Sequence, residues 1–360
     1  MKILYAIQGT GNGHVSRAGD IIPILQKHGK VDVLISGTQS DLKLPYNVNY
    51  TCNGLSFIFG KKGGIDYLET YKRSNIKKLF KEVSSLPVKE YDLIISDFEP
   101  VSAWACFLKN KPCIGLSHQN GVTCKQAPKP SKTDLIGKAV LNCYAPSTYR
   151  YGFHFQPYAK NIFTPVIRQE VRNLSTENNG HYTVYLPAYG DKQIIRFLSC
   201  FPEVQWQVFS KHNSKEVEFD NICIYPVNNR KFLESIASAE GVLCGAGFET
   251  PAEVLYLRKK LMVIPMKGQY EQQCNAAALK MLGVPVLKNL KPKQFKKLHK
   301  WLQEEQQYEI DYPDNTSEIL AGIIKKHAQE KSQADTVKNV ADSPSEFHNL
   351  LMKNIFVKAD

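Results

Sequence analysis

Lys2-Ile-Leu-Tyr-Ala-Ile-Gln-Gly-Thr-Gly-Asn-Gly-His14 is the stretch that decides the fold class. A short apolar run, Lys2–Gln8, breaks at Gly9, Gly11 and Gly13. It is followed by Val15–His28, where Ala18, Ile21, Ile22 and Leu25 recur at three- and four-residue spacing. A strand, a glycine turn and a one-faced helix form the first unit of a parallel sheet. Outward from it, Val31–Ser36, Asp92–Ser96 and Pro112–Leu116 read as strands, with Ile76–Ser84 and Val101–Lys109 as helices. Such alternation implies a sheet covered on both faces.

Through residues 120–175 the pattern loosens, and Asn161–Leu174 reads as a crossing. The alternation then restarts. Tyr182–Leu186, Val204–Phe209, Ile222–Tyr225, Gly241–Cys244 and Leu261–Pro265 read as strands. Lys192–Ser199, Lys231–Ala239, Thr250–Leu257 and Glu271–Leu282 read as helices. The expectation is an α/β protein of two Rossmann-like domains, 1–165 and 166–330, facing across a cleft, with a polar tail over 331–360. Ligands of open parallel sheets bind outside the carboxyl ends of the strands.

Of the 360 residues, 43% are apolar and 22% charged, which excludes wholesale disorder. No apolar window is long enough to span a bilayer, and the first residues lack the apolar core of a secretory signal. The nine cysteines form no C-x-x-C pair and suit free thiols in a reducing cytoplasm. No Cys/His spacing suggests a metal, and no cofactor is expected. The formal charge of +12 suggests an anionic partner: a phosphate-bearing ligand, an acidic membrane surface or nucleic acid.

The glycine loop fits a dinucleotide site poorly. The third glycine of G-x-G-x-x-G would fall on His14, and the second strand ends in Ser36-Gly37 without the expected acid. A histidine at a strand's carboxyl end is instead suited to proton removal near neutral pH. Asp97 also sits at a carboxyl end. It could orient an imidazole and stabilise its charged form, or cap the next helix.

A second open loop, Cys244-Gly-Ala-Gly-Phe-Glu-Thr-Pro-Ala-Glu253, joins a strand to a helix whose N-terminus could take a diphosphate. Glu253, one turn in, could accept ribose hydroxyls or compensate the helix dipole. Further on, Glu271-Gln272 opens a helix with a carboxylate beside an amide, which between them suit a polyhydroxylated ligand.

Together these elements resemble the nucleotide-sugar-dependent glycosyltransferases of the GT-B fold, the peptidoglycan N-acetylglucosaminyltransferases and the UDP-glycosyltransferases among them. The likeness covers roughly residues 1–310 and is densest in G-x-G-x-G-H ending at His14 and in Gly245–Ala276. It implies sugar transfer from a UDP-linked donor to a hydroxyl acceptor, with inversion. His14 would be the base and Asp97 its partner. Gly245, Ala246, Gly247, Phe248, Glu249 and Thr250 would face the diphosphate, Glu253 the ribose, and Glu271 and Gln272 the donor sugar. Gly190 would lie in a donor-side loop. Gly9, Gly11, Gly13 and Arg17 would form the acceptor-side loop. Arg17 replaces the proline usual in the peptidoglycan enzymes, and Glu271 stands where Asp is common.

Lys288–Lys300 and Tyr71–Lys81 mix lysines with apolar residues and read either as solvated helices or as a peripheral contact with an anionic membrane. The resemblance adds a lipid-linked acceptor to the second reading. No RNA-binding signature appears. Two rivals stay open: a UDP-sugar 2-epimerase of the same fold, which needs further carboxylates in the cleft, and a non-catalytic nucleotide-sugar binding protein.

Overall fold

The computed structural model describes residues 1–10, 12–37, 44–55, 76–306, 308–328 and 344–356. Gly11 and residues 71–75 lie outside them, as do 331–343 and 357–360 of the expected tail.

Seven strands make the first sheet: β1 Lys2–Gln8, β2 Lys30–Ser36, β3 Tyr50–Cys52, β4 Leu93–Asp97, β5 Ile114–Ser117, β6 Tyr149–Phe153 and β7 Ile162–Phe163. Their order is β3-β2-β1-β4-β5-β6-β7, and every pairing is parallel. The second sheet holds β8 His181–Tyr185, β9 Gln205–Ser210, β10 Val217–Phe219, β11 Ile222–Pro226, β12 Gly241–Gly245 and β13 Lys260–Ile264. It runs β10-β11-β9-β8-β12-β13, parallel except for the edge strand β10. Ile3, Leu4, Tyr5, Ala6 and Ile7 are wholly buried, as a strand covered on both faces requires.

Strand order reverses between β1 and β4 in the first sheet and between β8 and β12 in the second. A crevice opens at such a point because successive crossovers leave on opposite faces. His14 follows β1, Asp97 ends β4 and Gly245 ends β12, so these residues flank the two crevices.

Within 120–175 the chain is more regular than its pattern suggests. Helices occupy His118–Thr123 and Leu135–Cys143, and β6 and β7 extend the first sheet. The helix His118–Thr123 lies directly on β6. A Cβ on Gly121 would come within 2.2 Å of the Phe153 carbonyl oxygen, so only glycine allows that approach.

The last described helices return to the first unit. Helix Thr316–Ala328, within the span expected to belong to the second domain, packs on helix Asn12–Gln26 and β4. The Tyr151 hydroxyl also lies 2.7 Å from His327 Nε2. Helix Pro344–Phe356 places Leu351 in the apolar cluster of Leu4, Ala6, Leu34 and Trp104. The polar composition of this region conceals these anchoring residues.

In helix Phe295–Gln303, Leu298 and Trp301 are buried, so its apolar side is spent on the core and its lysines face outward. Among the described residues no helix is long and apolar enough to cross a membrane.

Candidate active site

A cavity of about 240 Å³ lies where the two units meet. The first unit lines it with Gln8, Thr10, Gly13, His14, Arg17, Phe98, His118 and Gln119. The second contributes Gly247, Phe248, Glu249, Gln269, Tyr270, Glu271 and Gln272. Helix Leu135–Cys143 adds a wall through Gly137, Val140 and Leu141.

His14 stands in the first turn of helix Asn12–Gln26, with Nδ1 2.8 Å from Asp97 Oδ1. Asp97 is wholly buried behind the imidazole. It does not cap the following helix. Glu99 does so, accepting from the backbone N–H groups of Val101 at 2.7 Å and Ser102 at 2.6 Å. Between them Phe98 takes a φ of 56°, a left-handed turn unusual for an aromatic residue, and it lines the cavity.

Arg17 is 1% exposed. Its Nη2 donates to both oxygens of Asp97, at 2.8 and 2.7 Å, and its Nη1 donates to Glu249 Oε1 of the second unit. Burial opposes the guanidinium charge, but Asp97 and Glu249 outweigh it and hold Arg17 protonated. Burial likewise pushes Asp97 up, while Arg17 and His14 pull it further down, to a net value below the usual carboxylate range. An ionised Asp97 can only accept, so Nδ1 of a neutral His14 carries the proton and Nε2 holds its lone pair.

Glu249 sits at the start of helix Glu249–Tyr256. Burial pushes its carboxyl up to about 7, against the pull of Arg17. Gly13 makes room for it, since a Cβ there would lie 3.1 Å from Glu249 Cγ.

Opposite, Glu271 Oε2 accepts from Gln119 Nε2 at 3.1 Å. Gln272 Oε1 accepts from the Met266 backbone N–H at 2.9 Å, and the residue lines the cavity. The His118 ring stacks on Phe248 with centroids 3.7 Å apart, and its Nε2 is 2.8 Å from Asn275 Oδ1. Burial lowers the His118 pKa despite nearby Glu271, favouring the neutral ring.

The expected residues thus divide. His14, Arg17, Gly13, Gly247, Phe248, Glu249, Glu271 and Gln272 line one cavity, with Asp97 directly behind. Gly9 supports the loop from below through a backbone bond to Ser36, and Ala246 binds Asn275 through its carbonyl. Gly245 and Thr250 stand beside the lining residues, not among them. Gly190 is exposed at the start of helix Asp191–Leu198 and is not among the lining residues. Glu253, expected on ribose hydroxyls, is buried under an ion pair. Arg168 Nε and Nη2 hold its two oxygens at 2.5 and 2.9 Å, and it does not line the cavity.

His118 and Gln119 were not foreseen. They follow the apolar strand ending at Leu116, so the carboxyl-end rule that selects Asp97 would also have selected them. Arg168 carries no local signal for its hold on Glu253, which is 85 positions away. Among the described residues no group of three His, Cys, Asp or Glu side chains could hold a metal ion.

The family model described as glycosyl transferase family 1 matches residues 1–304. The chain belongs to this family. Among solved structures, this family 1 glycosyltransferase is similar to MurG of Acinetobacter baumannii, at 15% identity and a TM-score of 0.53, covering 98% of this chain and 99% of that one. It is also similar to Arabidopsis thaliana UGT89C1 complexed with quercetin, at 12% identity and a TM-score of 0.57, covering 99% of each chain. The same plant protein complexed with UDP gives 12% and 0.55, covering 99% of this chain and 100% of that one. These likenesses establish the GT-B fold of two Rossmann-like domains. No curated protein matches the sequence.

Proposed function

We propose that the chain transfers a sugar from a UDP-linked donor to a hydroxyl acceptor, with inversion and with His14 as general base. One observation carries this reading. His14 is held through Nδ1 by buried Asp97, which leaves Nε2 as the basic atom of a side chain lining the cavity. Glu271 and Gln272 stand on the other wall, a carboxylate and an amide suited to sugar hydroxyls.

In this scheme the acceptor oxygen bonds to the anomeric carbon as its proton passes to Nε2. The bond from that carbon to the UDP oxygen breaks, and UDP leaves with the electron pair. Asp97 supports the imidazolium. The N–H groups at the start of helix Glu249–Tyr256 receive the growing negative charge on the diphosphate. The UDP seen in the plant relative supports the choice of nucleotide.

The test is the initial rate of donor turnover with UDP-glucose and UDP-N-acetylglucosamine, beside calorimetric titration with UDP. General-base catalysis is worth roughly 10²–10⁴-fold, so His14→Ala should lose that much while UDP affinity stays within about twofold. Asp97→Asn should lose less, and the double variant no more than His14→Ala, because the pair acts as one unit. Near-full turnover in His14→Ala would end the inverting scheme.

A second reading has an observation of its own. A 2-epimerase needs a carboxylate in the cleft, and Glu249, pushed up to about 7, lines the cavity. Incubation with UDP-N-acetylglucosamine in heavy water separates the two. Deuterium at the sugar C2 belongs to epimerisation, and its absence beside released UDP belongs to transfer.

A further inference from the structure

We propose that Gln119 positions the His14 base and reads a second hydroxyl of the acceptor, which makes that acceptor a sugar or polyol. The inference rests on the reading of His14 as base.

Gln119 lies in helix His118–Thr123, is 4% exposed and lines the cavity. Its amide nitrogen is 3.3 Å from His14 Nε2 and 3.1 Å from Glu271 Oε2. Two N–H groups therefore meet two acceptors, one in each unit. The amide cannot be reversed. Nδ1–H of His14 donates to the ionised Asp97, so Nε2 of the neutral ring can only accept. A reversed amide would also set a carbonyl oxygen against the Glu271 carboxylate.

This fixed orientation leaves Gln119 Oε1 buried with no hydrogen-bond partner among the described residues. A buried carbonyl oxygen in a cavity wall is an acceptor that lacks its donor. Amide oxygen and nitrogen are about 2.2 Å apart, as standard bond lengths require. With the amide nitrogen 3.3 Å from His14 Nε2, Oε1 lies within about 5.5 Å of that atom, a span that two hydroxyls of one molecule can bridge. Vicinal hydroxyls of a sugar or polyol meet that condition, whereas a lone phenol or simple alcohol satisfies only one of the two atoms. As the acceptor hydroxyl takes its place on Nε2, the Gln119 N–H releases the imidazole and keeps its bond to Glu271.

The full chain labelled with ¹⁵N-histidine tests this by NMR. Wild type should show His14 as the Nδ1–H tautomer with Nε2 accepting a hydrogen bond. Gln119→Leu should move the Nε2 resonance towards that of a free ring nitrogen. With UDP saturating, methyl β-D-glucopyranoside should shift the wild-type Nε2 resonance, and cyclohexanol at equal concentration should not. Donor turnover should fall roughly 10–100-fold in Gln119→Leu, the scale of a slightly misplaced catalytic group, with UDP affinity unchanged. Gln119→Asn, which draws the amide back by one methylene, should fall between. Unchanged His14 resonances in both variants would overturn the positioning role. Equal response to the two alcohols would overturn the acceptor class. Full turnover in His14→Ala would instead defeat the base assignment.

Discussion

The two loops that face each other across the cavity carry similar motifs but keep different company. On the first sheet, His14 and Asp97 meet at 2.8 Å, as the position of both at strand ends implies. In the loop after β12, the carboxylate that reaches the cavity is Glu249, while Glu253 lies one turn deeper under Arg168. Helical geometry explains the choice. Residues four apart share a helix face, so the partner each acid finds decides which one lines the cavity. Glu249 finds Arg17 across the cleft, and Glu253 finds Arg168 on the crossing segment. A motif locates a loop, and ion pairs from distant sequence select its working group.

The sharpest way to break the contrast is Arg17→Met. It leaves Asp97 wholly buried without its cation, a change typically costing about 3–5 kcal/mol. The drop in urea-unfolding free energy should be of that order. A loss below about 1 kcal/mol would show that His14 alone compensates Asp97.

Next in size is Arg168→Met. Glu253 is already pushed up by burial, against the pull of Arg168, so it can take a proton when the cation goes. The stability loss should then be roughly 1–3 kcal/mol, the cost of leaving one buried polar group unpaired. Added to it, Glu253→Ala should cost little more, and UDP affinity in the double variant should match wild type. A loss of UDP affinity on removing Glu253 from the Arg168→Met background would restore the ribose role.

The smallest effect is a slope. Glu249 has a folded pKa of about 7, above its unfolded value. As pH rises between the two, the unfolded state ionises first, so this group's contribution to stability is lost over that window. Urea midpoints from pH 4.5 to 7.5 should show the slope in wild type and a flatter line in Glu249→Gln. Parallel profiles would mean that Arg17 keeps the carboxylate ionised throughout.

The architecture was readable because period and turn residues agree. Ala18, Ile21, Ile22 and Leu25 lie on one face and are all buried, and Gly241–Cys244 and Leu261–Pro265 became adjacent parallel strands. β6 was missed because Tyr149–Phe153 is short and contains Gly152, which weakens any strand signal. The cavity-lining residues of the motifs were readable for the same local reason: each follows a strand. Arg168, the unpaired oxygen of Gln119 and the sealing of Glu253 were not, because each depends on a partner fixed only when distant segments pack.

The return of the chain to its first sheet sets an order of assembly. β7 ends at Phe163, whereas the last two helices that pack on this unit begin at Thr316 and Pro344. At bacterial-to-eukaryotic synthesis rates of about 5–20 residues per second, the first sheet waits roughly 8–30 s for the first of these helices. During that interval the surface later covered by Thr316–Ala328 and Leu351 stays open on the ribosome. The second sheet, complete by Ile264, has all its strands before the first unit has its last two helices. The unit that carries His14 is therefore begun before the second and closed after it.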